Sequence, residues 1–215
     1  MARKTKEESE KTYHSLLDAA TTLFARQGVA KTTLNEIAKS AGMTRGAVYW
    51  HFPNKDAVIM ALWKRDAGSV HDEVTATFTH LKPDSALKDF ETLVKDMLKK
   101  ATDDLKLTQA LKIVTSSIEF TEEASELQLF LMQRKNELYD AMKKAVALLQ
   151  EYQAITTKHS TDLLAASLWS YIIGMVDTHL EMSSEKIDIK NQADELIQLW
   201  IDSVTPNTAH LTQRC

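Results

Sequence analysis

Only five glycines and three prolines interrupt 215 residues, so the chain has few places to turn and long stretches between them. Folds built from many short strands spend Gly and Pro freely at their turns, and this chain does not. Its apolar residues, 44% of the total, are rich in the helix formers Leu, Ala and Met and are numerous enough for a sizeable core. The expectation is an all-α protein. The one cysteine, Cys215, cannot form an intrachain disulfide, and with no CxxC or Cys/His cluster neither a metal nor a cofactor is expected.

The opening MARKTKEESEKTYHS is charged and leads into no apolar run, unlike a signal peptide, which points to a cytoplasmic setting. LLAASLWSYIIGMV at 163–176, flanked by Asp162 and Asp177, falls short of the ~20 residues that a bilayer span needs. It reads as a bundle helix, with no membrane partner.

Charge is divided along the chain. Residues 1–65 hold eleven Lys/Arg against six Asp/Glu, and the remaining residues hold fifteen against twenty-four. A basic head on an acidic body suits a module that meets a polyanion while the rest stays away from it.

The helical pattern sharpens that reading. Tyr13, Leu16, Leu17, Ala20, Leu23 and Phe24 recur at helical spacing before Gly28, a natural C-terminal cap. Thr33-Leu34-Asn35-Glu36 reads as a capping box that opens a short second helix, ended at Gly42. Thr44 caps a third helix with Ala47, Val48 and Phe52 facing inward; Pro53 stops it and Asn54 caps a fourth. Two short helices joined by a tight turn and braced by a longer one make a helix-turn-helix, with the motif at about 33–52.

TRGAVYWHFPNK at 44–55 then acquires a purpose. The second helix of such a motif enters the major groove with its first residues on base edges, where Thr44 and Arg45 sit. Arg45 suits bidentate contact with guanine, and Gly46 permits close approach. Tyr49 and His51 are placed for phosphates, and Lys55 adds a fixed charge to backbone donors as a phosphate anchor. Thr33 joins the candidate contacts at the start of the motif. Trp50 is counted among them as well, although an aromatic there can instead wedge against its neighbours, and packing is its expected role. Each residue alone also fits an ordinary surface or core position; their conjunction favours nucleic acid.

GVAKTTLNEIAKSAGMTRGAVYWHFPNKDAV resembles the DNA-binding domain of the TetR family of bacterial repressors, and MARKTKEES with TRGAVYWHFPNK is similar to its AcrR-like branch, which governs multidrug efflux pumps. The likeness is dense from about 2 to 60 and sparse after 65, where Glu119-Phe120, Gly174 and KIDIKNQADELIQLWI carry it. Where many efflux repressors of this group have His-Lys-Cys before the Glu-Phe, this chain has Ser116, Ser117 and Ile118, so pocket chemistry does not carry over. The resemblance implies a homodimer with a divergent C-terminal ligand domain, bound to a pseudo-palindromic operator in double-stranded DNA and released by a hydrophobic small-molecule inducer.

The expected organisation is a DNA-binding domain at 1–65 and a helical ligand-binding and dimerisation domain at 66–215. Helix starts are signalled at Pro83-Asp84-Ser85, Thr121-Glu122-Glu123 and Ser160-Thr161-Asp162. The last two helices, with Leu163, Leu164, Leu168, Tyr171, Ile172, Met175 and Val176, then Ile189, Leu196, Ile197, Trp200, Ile201 and Val204, offer surface for a four-helix dimer interface. Candidate ligand contacts are Trp63, Phe90, Met97, Ile113, Phe120, Tyr139, Trp169 and Met175, with Ser116 and Ser117 as polar partners, although such residues at helical spacing are commonly plain core. Ligand binding would tilt the fourth helix, from Asn54 through Trp63, and change the separation of the two recognition helices.

The rival readings are a helical adaptor that binds protein, or a regulator of the same family serving an unrelated pathway. An enzyme is not expected, because the seven histidines are scattered and no HExxH, GxSxG or glycine-rich phosphate loop occurs.

Overall fold

The computed structural model describes residues 6–117, 124–181 and 188–206. Among them the regular structure is helical throughout, in the order α1 (Lys6–Gln27), α2 (Leu34–Ser40), α3 (Arg45–His51), α4 (Lys55–Asp66), α5 (Gly68–Phe78), α6 (Ala86–Asp103), α7 (Leu105–Thr115), α8 (Glu126–Glu151), α9 (Thr161–Leu180) and α10 (Ile189–Val204).

The chain forms two compact units. One comprises Met1–Ser69 with Leu105–Gln133, the other Val70–Asp104 with Arg134–Cys215. A single cut after residue 65 therefore does not follow the compactness of the chain: α7 and the first residues of α8 cluster with α1–α4.

In the first unit, Leu16, Leu17, Ala20, Leu23 and Phe24 bury one face of α1 as the sequence spacing requires. Leu34 and Ile37 of α2, Val48 of α3, and Val58, Ile59 and Leu62 of α4 are buried too, and α7 packs on α1 and α4. Gly28, at φ 82°, takes the left-handed conformation that ends α1, and its N–H donates to the Phe24 carbonyl at 3.0 Å. α2 ends in a Schellman motif. Gly42, at φ 68°, donates to the Lys39 carbonyl at 3.1 Å and Met43 to that of Ala38 at 2.8 Å.

The second unit is a bundle in which α6 packs on α9 and α10. Its centre is aromatic: the Phe90 ring lies 5.7 Å from Phe78 and 6.4 Å from Trp200, and Phe90 is fully buried. Lys99–Asp194 (2.7 Å), Lys190–Asp103 (3.1 Å) and Lys95–Gln198 (3.0 Å) stitch the rim between α6 and α10. The two exposed ion pairs among them, Lys99–Asp194 and Lys190–Asp103, add little stability.

Several sequence expectations need correction here. Ser85 precedes α6, but its φ of −130° and ψ of 4° turn the hydroxyl away from the helix amides, and it donates to the Asp89 carboxylate at 2.6 Å instead. The Thr121-Glu122-Glu123 start signal lies outside the described residues. α8 is opened by a capping box that the sequence reading overlooked, in which Ser125 N–H donates to Gln128 Oε1 (2.7 Å) and Gln128 N–H to Ser125 Oγ (3.3 Å). Ser160 caps α9 as expected, accepting from Leu163 N–H at 3.3 Å.

Most of the apolar residues assigned to a surplus face on the last two helices are spent inside their own unit. Leu164, Leu168, Ile172 and Met175 of α9 and Ile189, Ile197, Trp200, Ile201 and Val204 of α10 all belong to its core. Leu163, 56% exposed, and Leu199, 64% exposed, point outward. α9 has the length and apolar composition to cross a membrane, but its buried face serves this bundle.

Candidate nucleic-acid interface

A seven-residue helix has little stability of its own, so α3 exists because its ends are fixed and one side is buried. Thr44 supplies the N-cap, its hydroxyl accepting from Ala47 N–H at 3.2 Å. Val48 and the C-cap residue Phe52 are buried. Tyr13 of α1 holds the far end: its ring stacks on Phe52 at 5.2 Å and meets His51 edge-on at 5.8 Å. Burial raises the Tyr13 hydroxyl pKa above the ordinary tyrosine value, against the opposing pull of the Arg65 charge.

With Val48 and Phe52 turned inward, the opposite side of α3 faces water. It carries Arg45, Gly46, Tyr49 (45% exposed) and Trp50 (82% exposed). The expectation that Trp50 packs against its neighbours is thus wrong. Trp50 lies two residues from both Val48 and Phe52, which puts the indole on the opposite side of the helix, in solvent. From Ile37 to Lys55 the sequence contains no Asp or Glu, so this segment itself brings no carboxylate to repel a phosphate. A Cβ on Gly46 would meet only Thr44 Oγ1, at 3.9 Å, so no internal packing demands glycine there.

The remaining candidate contacts are engaged within the protein. Thr33 and Glu36 form the expected capping box. Thr33 N–H donates to Glu36 Oε2 (2.8 Å), as does its hydroxyl (2.9 Å), while Glu36 N–H donates to Thr33 Oγ1 (3.2 Å). Those bonds, led by the one from the Thr33 backbone, hold the Glu36 carboxyl below the usual glutamate range. Lys55 is the larger surprise: its ammonium donates to the carbonyls of Val29 (2.9 Å) and Ala30 (3.4 Å) in the turn between α1 and α2. Asn54 caps α4 as expected, accepting from Ala57 N–H at 2.8 Å.

At the other end of α4, Arg65 is clamped. Its Nε and Nη2 donate to Asp66 (2.7 and 2.8 Å) and its Nη1 to Asp18 (2.7 Å), bonds that raise its pKa further above the arginine value, with Asp66 the main cause. Trp63 is buried in this unit, edge-on to Phe130 at 5.3 Å, with the Lys64 ammonium 5.3 Å from the same ring centre.

Nine of the ten candidate ligand residues divide between the two units. Trp63, Ile113, Ser116 and Ser117 fall in the first unit and Phe90, Met97, Tyr139, Trp169 and Met175 in the second, while Phe120 lies outside the described residues. Phe90 and Met175 are buried core. The Ser116 hydroxyl donates back to the Ile113 carbonyl at 3.0 Å, and that of Ser117 does the same, closing the end of α7. Tyr139 and Trp169 meet edge-to-face at 5.5 Å, with Lys135 5.9 Å above the indole. Among the described residues, no group of three or more His, Cys, Asp or Glu side chains is placed to hold a metal.

Sequence reasoning missed Tyr13 and the Val29 and Ala30 carbonyls as supports of the motif. Tyr13 was legible only as a member of an apolar stripe, and backbone acceptors leave no mark in a sequence. What remains is a helix-turn-helix whose second helix presents a cationic, aromatic, carboxylate-free face, the architecture of a DNA-binding protein.

Comparison with known proteins agrees. Residues 16–62 match the bacterial regulatory proteins of the tetR family, and residues 85–206 match the C-terminal region of MAATS-type transcriptional repressors. The chain belongs to the TetR family and is a DNA-binding transcriptional repressor. It is 28% identical over 202 residues to the HTH-type transcriptional regulator AcrR of Shigella flexneri, spanning 94% of this chain and 93% of that one. The fold matches NalD, the secondary repressor of the MexAB-OprM multidrug efflux pump of Pseudomonas aeruginosa, with a TM-score of 0.75 at 24% identity, covering 94% and 100% of the two chains. It also matches SmeT, the repressor of the Stenotrophomonas maltophilia pump SmeDEF, in its complex with triclosan, with a TM-score of 0.78 at 24% identity over 92% and 93%.

Proposed function

We propose that this repressor acts in the cytoplasm as a homodimer on a pseudo-palindromic operator of an efflux-pump operon, and that a hydrophobic small molecule releases it. The observation that carries the DNA half of this reading is the outward face of α3. Arg45 and Trp50 are exposed on a helix whose other side is pinned by Val48, Phe52 and Tyr13. Arg45 reads a base edge with Thr44 beside it, Gly46 lets the backbone close on the groove, Trp50 meets sugars or a thymine methyl, and Tyr49, His51, Thr33 and Lys55 lie along the backbone. Two such helices, about 34–36 Å apart in a dimer, read two half-sites.

The release half is supported by the match of residues 85–206 to a repressor C-terminal region and by the pump repressors that share the fold. Residues 1–65 carry the reading head, residues 66–215 carry the ligand and dimer functions, and α4 passes the signal. A coupling of about 1–3 kcal/mol weakens operator binding roughly 5- to 150-fold, enough for induction.

The deciding experiment is retardation of the duplex upstream of the neighbouring operon at two salt concentrations, repeated with dyes, bile salts and triclosan. A steep loss with salt and a further loss with one of these compounds is expected. A duplex that is never retarded at low salt rules the reading out.

A further inference from the structure

We infer that Tyr49 is a positioning residue for base reading: its ring holds the Arg45 guanidinium in the orientation that meets a base edge. This rests on the reading of Arg45 given under the proposed function. Arg45 Cζ lies 5.4 Å from the centre of the Tyr49 ring, one helical turn further along the same outward face of α3. Residues four apart on a helix are neighbours, so the contact is built into the sequence order.

The chemistry of the partner matters. A long exposed arginine has many rotamers to lose when it binds, and any device that limits them beforehand favours the bound geometry. A carboxylate would limit them but would consume the donors. Arg65 of the same chain shows that outcome, with Nε, Nη1 and Nη2 all bonded to Asp66 and Asp18. An aromatic face attracts the guanidinium through its π-system while leaving the N–H groups at the edge of the plane free. Those are the groups that a bidentate contact with guanine O6 and N7 uses. No Asp or Glu lies between Ile37 and Lys55, and the one acid of the motif, Glu36, is bonded to Thr33.

Tyr49 is also suited to stay put. It is 45% exposed, so about half of its surface is covered, and a tyrosine has two side-chain torsions to fix where an arginine has four or five. Its value to base reading therefore lies in the ring and not in the hydroxyl. This separates the role from a phosphate contact, which would use the hydroxyl and carry no sequence information.

The test is a binding-site selection with the full-length dimer, comparing wild type, Arg45→Ala, Tyr49→Leu and Tyr49→Phe, with salt dependence measured for each. Tyr49→Leu is expected to relax preference at the same base-pair position as Arg45→Ala, by about two- to fivefold, the size of an exposed cation–π contact, with an unchanged salt slope. Tyr49→Phe, which keeps the ring, is expected to retain the preference. The inference is overturned if Tyr49→Leu leaves that position as selective as wild type, or if Tyr49→Phe weakens all sequences as much as Tyr49→Leu does. If Arg45→Ala changes no position while the duplex is still bound, the base-reading role of Arg45 falls and takes this inference with it, but DNA binding by the motif stands. If no variant and no wild-type protein binds any duplex, the reading of the site itself fails.

Discussion

The Lys55 ammonium lies 2.9 Å from the carbonyl oxygen of Val29, so the first residue of α4 holds the turn that leads from α1 into α2. A cation at the start of a helix next to a DNA-reading motif suggests a phosphate contact, and the fold gives it an internal task as well. The two tasks separate in Lys55→Met, which keeps the stem and removes the charge. Loss of the staple is expected to lower stability by about 1–2 kcal/mol, since hydrogen bonds from a charged donor are disrupted. Denaturant unfolding and the salt dependence of operator binding, measured on the same preparation, distinguish them. A staple alone leaves the slope as it was, whereas a phosphate anchor lowers it by about one unit.

Trp50 and Phe52 are two residues apart and should behave as opposites. Trp50 is 82% exposed, so Trp50→Ala is expected to shift stability by no more than about 0.5 kcal/mol while weakening the operator complex. Phe52 is buried against the Tyr13 ring, and Phe52→Ala is expected to cost about 3–5 kcal/mol. Thermal melts of both variants check this. A Trp50→Ala protein that melts early, or that binds operator like wild type, contradicts the outward role.

How far the sequence reached depends on the range of the interaction. The starts of α2, α3, α4 and α9 were legible because Thr33, Thr44, Asn54 and Ser160 each bond an amide three residues on, within one turn of their own helix. The Gly28 and Gly42 stops were legible for the same reason. What stayed hidden was set by contacts distant in sequence. The Lys55 bond to Val29 spans 26 residues and the Arg65 bond to Asp18 spans 47. The outward orientation of Trp50 was within reach of the sequence, since it lies two residues from both Val48 and Phe52 and so on the opposite side of α3. Residue type and helical spacing do not separate a pocket wall from a core, and Phe90 belongs to the core.

The Thr33–Glu36 capping box makes α2 sensitive to acid. Hydrogen bonds from Thr33 hold the folded Glu36 pKa below its value in the unfolded chain. The stabilisation is therefore complete above the ordinary glutamate range and is lost as pH falls through that range to the lower folded value. Thr33→Ala removes the cap itself and is expected to cost about 1 kcal/mol at neutral pH. Glu36→Gln is expected to flatten the decline of stability on acidification, because Gln keeps an acceptor at the position but does not titrate. Unfolding midpoints between pH 3 and 7 report it, and parallel curves for wild type and Glu36→Gln would remove Glu36 as a contributor.

If ligand and operator act through one conformational equilibrium, their effects on each other must be equal. A compound that weakens operator binding tenfold has to bind tenfold more weakly to the protein held on operator, because both factors express a single coupling free energy of about 1.4 kcal/mol. Triclosan, the ligand in the related SmeT complex, is a concrete probe. Its dissociation constant should be measured by calorimetry on free protein and on protein saturated with operator duplex, and the operator constant with and without saturating triclosan. Agreement of the two ratios is expected for release by population shift, since a ligand alters an equilibrium only by its difference in affinity for the two states. If triclosan displaces the duplex yet binds free and DNA-held protein equally, the loss of DNA binding comes from something other than linkage, such as aggregation of the protein. Light scattering of the same samples would then show particles larger than those of the ligand-free protein, and the proposed signal through α4 would have nothing left to carry.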